Sequence, residues 1–319
     1  MEWVFTFISV LGWGIAEIFY KKGNLEKEKY SHLKTTVFVG FFMGIYALVI
    51  LFTQNIDLKL FPKNFLIYLP VATCYIVSMV CSYFGVRFIE ESISDPIENS
   101  SCAIVAILCA IFLHQTFEVP AIIAIVIIVI GFIALGFFDK KGKENRHSKY
   151  GKKLAIFAIA MPFCYMLLDA VGTFLDIFYT DVEQTLLVGV TEENIEHTAN
   201  CAYELTFFLI SIGIFIFLKI KKVKLFDLGK NSQEKGGFFA KIADQKFKIL
   251  AAIFETIGQA TYLFALSKGA IAAVILGAGT VITSLILSRI FLKEKLTWLQ
   301  YIFIGLILVG IIIGALFDL

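Results

Sequence analysis

The sequence predicts an all-α membrane protein of ten transmembrane helices, arranged as two inverted five-helix repeats. Three observations predict it. The chain is 59 % apolar and 15 % aromatic with only 17 % charged residues and a mean hydropathy of +0.83, far more apolar surface than a soluble core can hide. Apolar runs of about 18 to 25 residues, the length that crosses a bilayer, recur along it. And one long block occurs twice: Tyr83 to Asp139 returns as Tyr262 to Asp318, a shift of 179 positions, 262 less 83. The copies align without a gap, with Ile111-Phe112-Leu113 on Ile290-Phe291-Leu292, Gly131 on Gly310 and Phe138-Asp139 on Phe317-Asp318. Each copy is an apolar helix, a short polar hairpin and a second apolar helix, the mark of an internal duplication.

Taken in order, helices are expected near 3–20, 35–53, 64–88, 96–114 and 118–138, then 153–179, 199–219, 247–267, 269–292 and 296–317. The charged segment DKKGKENRHSKYGKK separates the two sets. The organisation expected is therefore a first repeat over 1–139, a basic linker over 140–152 and a second repeat over 153–319. Five crossings per repeat, an odd number, turn the second copy upside down relative to the first. Inverted repeats of this kind are a transporter architecture, with the binding site near the midplane where the halves meet. The N-terminus lacks a basic leader, so no cleavable signal peptide is expected. The six cysteines fall within or beside predicted helices and form no C-x-x-C, which reads as small packing residues.

Orientation follows from the basic residues. Loops after helices 1, 3, 5, 7 and 9 carry 25 of the 28 Lys and Arg, leaving Lys59, Lys63 and Lys268 on the other side. The positive-inside rule then places both termini outside the cytoplasm of a plasma-membrane protein. The loop after helix 6 agrees, with Asp181, Glu183, Glu192, Glu193 and Glu196 and no Lys or Arg.

Within the apolar helices lie Glu17, Asp169, Glu204 and Glu255, with Glu98 near a helix start and no Lys or Arg at comparable depth. A carboxylate in hydrocarbon costs at least a few kcal/mol, so each should face a cavity or a partner. Since the chain offers no partner, either the acids are protonated or a cation from outside completes them. Trp13 and Glu17 in helix 1, and Tyr165 and Asp169 in helix 6, share a spacing of four that puts aromatic and acid on one helical face. Tyr20 and Asp176 continue those faces. An aromatic beside a carboxylate suits an ammonium ion, which gains cation–π attraction as well as charge. The bland alternative is that these aromatics are packing or interface-belt residues and that Glu17 reaches water.

Helix 8 presents Glu255, Gln259 and Tyr262 on one face, and helix 3 presents Tyr75, Ser78, Ser82 and Tyr83, polar but chargeless. Glu204 could snorkel to the interface or join the site. Asp95-Pro96-Ile97-Glu98 reads as a capping box that starts helix 4, with Asn99, Ser100 and Ser101 behind it able to bond a substrate. Gly277-Ala278-Gly279-Thr280 permits close backbone approach, first of all for packing. His114 reads as a turn residue. Dinucleotide, Walker A and H-E-x-x-H signatures are missing, and neither a cofactor, a metal nor a nucleic-acid partner is expected.

The helix-1 stretch Trp13-Gly14-Ile15-Ala16-Glu17-Ile18-Phe19-Tyr20-Lys21-Lys22 and the segment Leu292-Lys293-Glu294-Lys295-Leu296-Thr297-Trp298-Leu299-Gln300, followed by a glycine-containing helix, resemble the drug/metabolite transporter superfamily in its EamA-type branch. The resemblance implies a secondary transporter whose cavity is lined by helices 1, 3, 4, 6, 8 and 9, which brings Glu17, Tyr83, Asn99, Asp169, Glu255 and Gly277 near the substrate path. Many relatives are drawn with cytoplasmic termini, whereas the charge count here argues the opposite. The function expected is proton-coupled transport of a small cationic or zwitterionic solute, an amine, choline-like compound or amino acid, by a monomer or homodimer. The binding set expected is Trp13, Glu17, Tyr83, Asn99, Tyr165, Asp169, Glu255, Gln259 and Tyr262. Three other readings are weighed: export of amphipathic drugs or metabolites past an aromatic wall, an intramembrane aspartyl protease, for which the second G-x-G-D is missing, and a scaffold or receptor, which leaves the acids unexplained.

Overall fold

Eleven α-helices and one π-helical turn (Ser288–Leu292) carry the fold in the computed structural model, which describes residues 2–137, 149, 151–226, 242–266, 270–294 and 297–317. The α-helices are α1 (Glu2–Gly23), α2 (Ser31–Thr53), α3 (Phe61–Gly85), α4 (Glu91–Asn99), α5 (Ser101–Phe112) and α6 (Val119–Phe137), then α7 (Lys152–Thr180), α8 (Ile195–Ile220), α9 (Lys246–Leu266), α10 (Ala270–Leu287) and α11 (Trp298–Phe317). No strand occurs among the described residues. Among the described residues eight helices are long and apolar enough to cross a membrane, counting α4 and α5 together as Glu91–Phe112; Val119–Ala134 and Trp298–Ile313 are apolar but shorter. Most of the basic linker expected at 140–152, with Lys268 and much of the basic stretch between Lys219 and Lys248, lies outside the described residues.

α2 shows how the sequence sorts lipid from protein. Phe41, Ile45, Leu48 and Phe52 form an exposed stripe, while Gly40, Met43, Gly44, Ala47 and Ile50 on the other side are buried. Both faces are apolar, so the glycines and Ala47 decide which packs: they let the neighbouring backbone approach, and Met43 and Ile50 fill the space beside the contact. A Cβ on Gly40 would come within 2.4 Å of Ser211 Cβ in α8, and one on Gly44 within 2.5 Å of the Phe208 ring. At the next crossing, a Cβ on Gly12 of α1 would lie 2.8 Å from the Gly258 backbone nitrogen in α9.

The strongest helix pairings are α1 with α9, α2 with α8, α3 with α7 and α6 with α11. Every one joins the two halves, and exchanging the halves maps the set of pairs onto itself. Each pair also runs antiparallel: Gly12 meets Gly258 where Gly23 meets Lys248, and Tyr75 meets Gly172 where Gly85 meets Met161. In α6 and α11 the symmetry reaches single atoms. A Cβ on Gly131 would strike Ile307 Cγ1 at 2.4 Å, and one on Gly310 would strike Ile128 Cγ1 at 2.6 Å. Those residues are the 179-shift partners of one another, so the two copies pack by a self-complementary two-fold contact. Backbone conformation repeats as well. His114 after α5 and Lys293 after α10, again 179 apart, both adopt left-handed φ values of 51° and 58°, rare for non-glycine residues.

Helix 4 departs from its expected start. It begins at Glu91 rather than at Asp95, and Asp95 to Glu98 sit inside the helical segment. Its first amides are capped from the other half of the chain: Glu91 N and Ser92 N donate to the Glu294 carboxylate at 3.2 and 3.0 Å. A carboxylate there satisfies two orphan N–H groups and the positive end of the helix. The local D-P-x-E pattern is thus released for other work.

Candidate substrate cavity

Because α1, α3, α4, α5, α7, α8, α9 and α10 all turn polar residues to one place, a cavity of about 90 Å³ forms at the meeting of the halves, several times the space one water molecule needs. All nine residues of the expected binding set, Trp13, Glu17, Tyr83, Asn99, Tyr165, Asp169, Glu255, Gln259 and Tyr262, line it. Tyr20, Tyr75, Ser82, Glu98, Ser101, Thr173 and Tyr203 join them.

Four carboxyl groups therefore share the lining, Glu17, Glu98, Asp169 and Glu255, with no Lys, Arg or His among its residues. Glu255 accepts from Tyr20 OH at 3.0 Å, and Tyr20 accepts from Tyr83 OH at 2.9 Å. Asp169 accepts from Ser101 Oγ at 2.7 Å, and Glu98 from Ser94 Oγ at 2.8 Å. One oxygen of Glu17 is buried without a hydrogen-bond partner. Aromatic rings form the walls: Trp13 lies 4.9 Å from Tyr262 and Tyr20 4.4 Å from Tyr83, centroid to centroid. Among the described residues the ion pairs are Lys34 and Lys248 with Glu28, and Lys149 with Glu26, and none reaches the cavity acids.

The capping-box reading of Asp95 and Glu98 is corrected here. Asp95 accepts from Asn99 Nδ2 at 2.6 Å and from Ser284 Oγ of α10, so it ties α4 to the second half, while Glu98 faces the cavity. Gly277 keeps α10 open beside it, since a Cβ there would lie 3.2 Å from Asn99 Oδ1; Gly279, by contrast, packs on Val10. Glu204 neither snorkels nor lines the cavity. It is fully buried in α8 and neither carboxyl oxygen has a partner. Ser101 lines the cavity as the sequence suggested, Ser100 does not, and Thr173 and Tyr203 are lining residues that the sequence reading missed. All six cysteines are free.

A cluster rich in basic groups closes one end of the bundle. Lys21 Nζ donates to Val86 O at 2.6 Å and to Ile89 O, and the Arg87 guanidinium gathers four carbonyls of the α1–α2 loop, Leu25, Glu26, Glu28 and Lys29, at 2.7 to 3.3 Å. Glu28 pairs with Lys34 and with Lys248, whose side chains are each only 3 % exposed. These lysines are buried, but they sit at helix ends and none lines the cavity. Burial works against the Glu28 carboxylate, yet Lys248 and Lys34 outweigh it and hold the group below the usual carboxylate range. At the other end, Asp181, Glu183, Glu192 and Glu196 line a groove between α7 and α8.

The model of a family described as the EamA-like transporter family matches residues 2–137 and 186–315, leaving α7 outside both matches. A solved structure titled only as the crystal structure of a protein is similar over 99 % of this chain and 97 % of its own, with a TM-score of 0.65 at 10 % identity. That likeness is one of fold. No curated protein matches the chain.

Proposed function

The chain belongs to the EamA-like transporter family, and from that premise we propose that it is a proton-coupled secondary transporter of a small cationic or zwitterionic organic solute. The observation that carries this reading is the cavity itself: four carboxyl groups, one with an unpartnered buried oxygen, walled by aromatic rings and approached by no basic side chain of its lining. A buried charge without a counter-charge is costly, so the cavity favours whatever arrives positive. An ammonium group gains the acids and the ring faces together; a proton neutralises the same acids when the cargo has left. Exchange of one for the other, while the halves rock about the site, gives alternating access. Four carboxyl groups in one lining suit an amine better than an uncharged lipophile, which sets this reading above export of amphipathic drugs.

In this scheme the protein spans the membrane ten times as two inverted repeats, α6 and α11 included, and works in the plasma membrane. The antiparallel contact between the repeated glycines Gly131 and Gly310 supports the inversion. The end rich in Lys and Arg faces the cytoplasm, by the positive-inside rule.

The test is transport in proteoliposomes, driven by an imposed pH gradient, with choline, a primary amine and a zwitterionic amino acid as probes. Glu255→Gln and Asp169→Asn are each expected to lower transport of the accepted probe by at least about tenfold, about 1.4 kcal/mol. Wild-type rates in both variants would remove the carboxylate mechanism.

A further inference from the structure

Asp176 is fully buried in α7, two turns beyond Asp169, and is not part of the cavity lining. We propose that Asp176 is a second proton-binding site, joined to the cavity by a relay of hydroxyl groups through Tyr75 and Tyr262. Its use in coupling rests on the transporter reading; its existence as a proton site does not.

The relay is continuous in hydrogen-bond geometry. Tyr262 OH, on the cavity wall, lies 3.0 Å from Tyr75 OH and 3.3 Å from Thr173 Oγ1. Tyr75 OH lies 2.9 Å from Thr173 Oγ1 and donates to Asp176 Oδ2 at 2.9 Å. Tyr68 OH donates to Asp176 Oδ1. Each hydroxyl both donates and accepts, so a proton entering at Tyr262 can be replaced by another leaving at the next oxygen without any heavy atom moving far. Seven residues of helix rise separate the two aspartates, about 10 Å, and beyond Asp176 the α7 backbone runs on to Thr180 and the groove lined by Asp181, Glu183 and Glu196. The relay therefore points from the cavity toward the acidic end.

Among the described residues no cation faces Asp176. The groups facing it are Tyr68 and Tyr75 from α3, Tyr262 from α9, Tyr203 from α8 and Asp169 on its own helix. Among the described residues α4, α5 and α10 bring it no titratable group. Phenols can share hydrogen bonds with a carboxylate but cannot cancel its charge, so a proton must come from outside the chain. Burial alone calls for the two donors; the unbroken link from them to the cavity wall is what sets Asp176 apart.

Infrared difference spectra of the full chain in lipid nanodiscs, from about pH 4 to about pH 9, read protonated carboxyl groups directly and need no cargo. One titrating carboxyl band is expected to persist in Asp169→Asn and in Glu255→Gln and to be lost in Asp176→Asn. An Asp176→Asn spectrum that keeps every titrating band of the wild type overturns the proposal. Should that variant not fold, Tyr75→Phe keeps the ring and removes the relay hydroxyl; the same band must then change its frequency or its midpoint, and an unaltered set of bands overturns the proposal equally. A protein that moves none of the amine probes yet shows the Asp176 band would refute the transport reading alone.

Discussion

The two ends of the bundle are closed by opposite chemistry. At the basic end, Lys21, Arg87, Lys34 and Lys248 meet carbonyls and the Glu28 carboxylate, so buried charge is compensated within the chain. At the acidic end, Asp176 accepts from two phenols, Tyr68 and Tyr75, with Tyr262 and Thr173 bonded in turn to Tyr75, and meets no cation among the described residues. The first closure is complete in itself. The second is complete only with a proton, which makes it the end that can sense one.

Removing Glu28 should break this comparison most severely. Glu28→Ala leaves Lys34 and Lys248 buried without their carboxylate, a loss of about 3 kcal/mol, seen as a fall of about 5–10 °C in the thermal unfolding of the purified protein. The pH dependence has a defined sign. Because the folded-state Glu28 is held below its usual range, its contribution is full above the unfolded value of about 4.3 and disappears as pH falls through the folded value. Wild-type unfolding temperature should therefore drop below about pH 4, and Glu28→Gln should flatten that drop; an identical drop in the variant would contradict the assignment.

At the acidic end Asp176→Leu strands the Tyr68 and Tyr75 hydroxyls in a buried site, at about 1–3 kcal/mol, while Asp176→Asn, which still accepts, should cost less than half as much in the same melt. Glu294→Ala uncaps α4 and should cost about 1 kcal/mol. The smallest effect belongs to the exposed pair Lys149–Glu26, 59 % and 36 % exposed: Lys149→Ala should change stability by no more than about 0.5 kcal/mol, and that effect should vanish in high salt.

Much of the candidate site's lining was legible from periodicity because helices present fixed faces. Once Trp13 and Glu17, Tyr165 and Asp169, and Glu255 with Gln259 and Tyr262 each share a face, burying the polar faces together is the cheapest arrangement in an apolar medium. Local pattern misled at Asp95-Pro96-Ile97-Glu98, where a sound capping motif was overridden by a carboxylate more than 190 residues away. Neither role open to Glu204 in the sequence, snorkelling or joining the site, is the one it has: it is fully buried away from the cavity lining.

By itself the sequence determined the membrane environment, the duplication and the acids within it, since composition and spacing are properties of one segment at a time. The tertiary structure alone decided that Gly131 meets Ile307 while Gly310 meets Ile128, that Glu294 caps α4, and that Asp176 is fed by Tyr68 and Tyr75 while the lysines gather at Glu28. Those pairings join residues far apart in the chain, and in hydrocarbon, where most surfaces are equally apolar, only close packing and the need to satisfy polar groups choose which helix faces which.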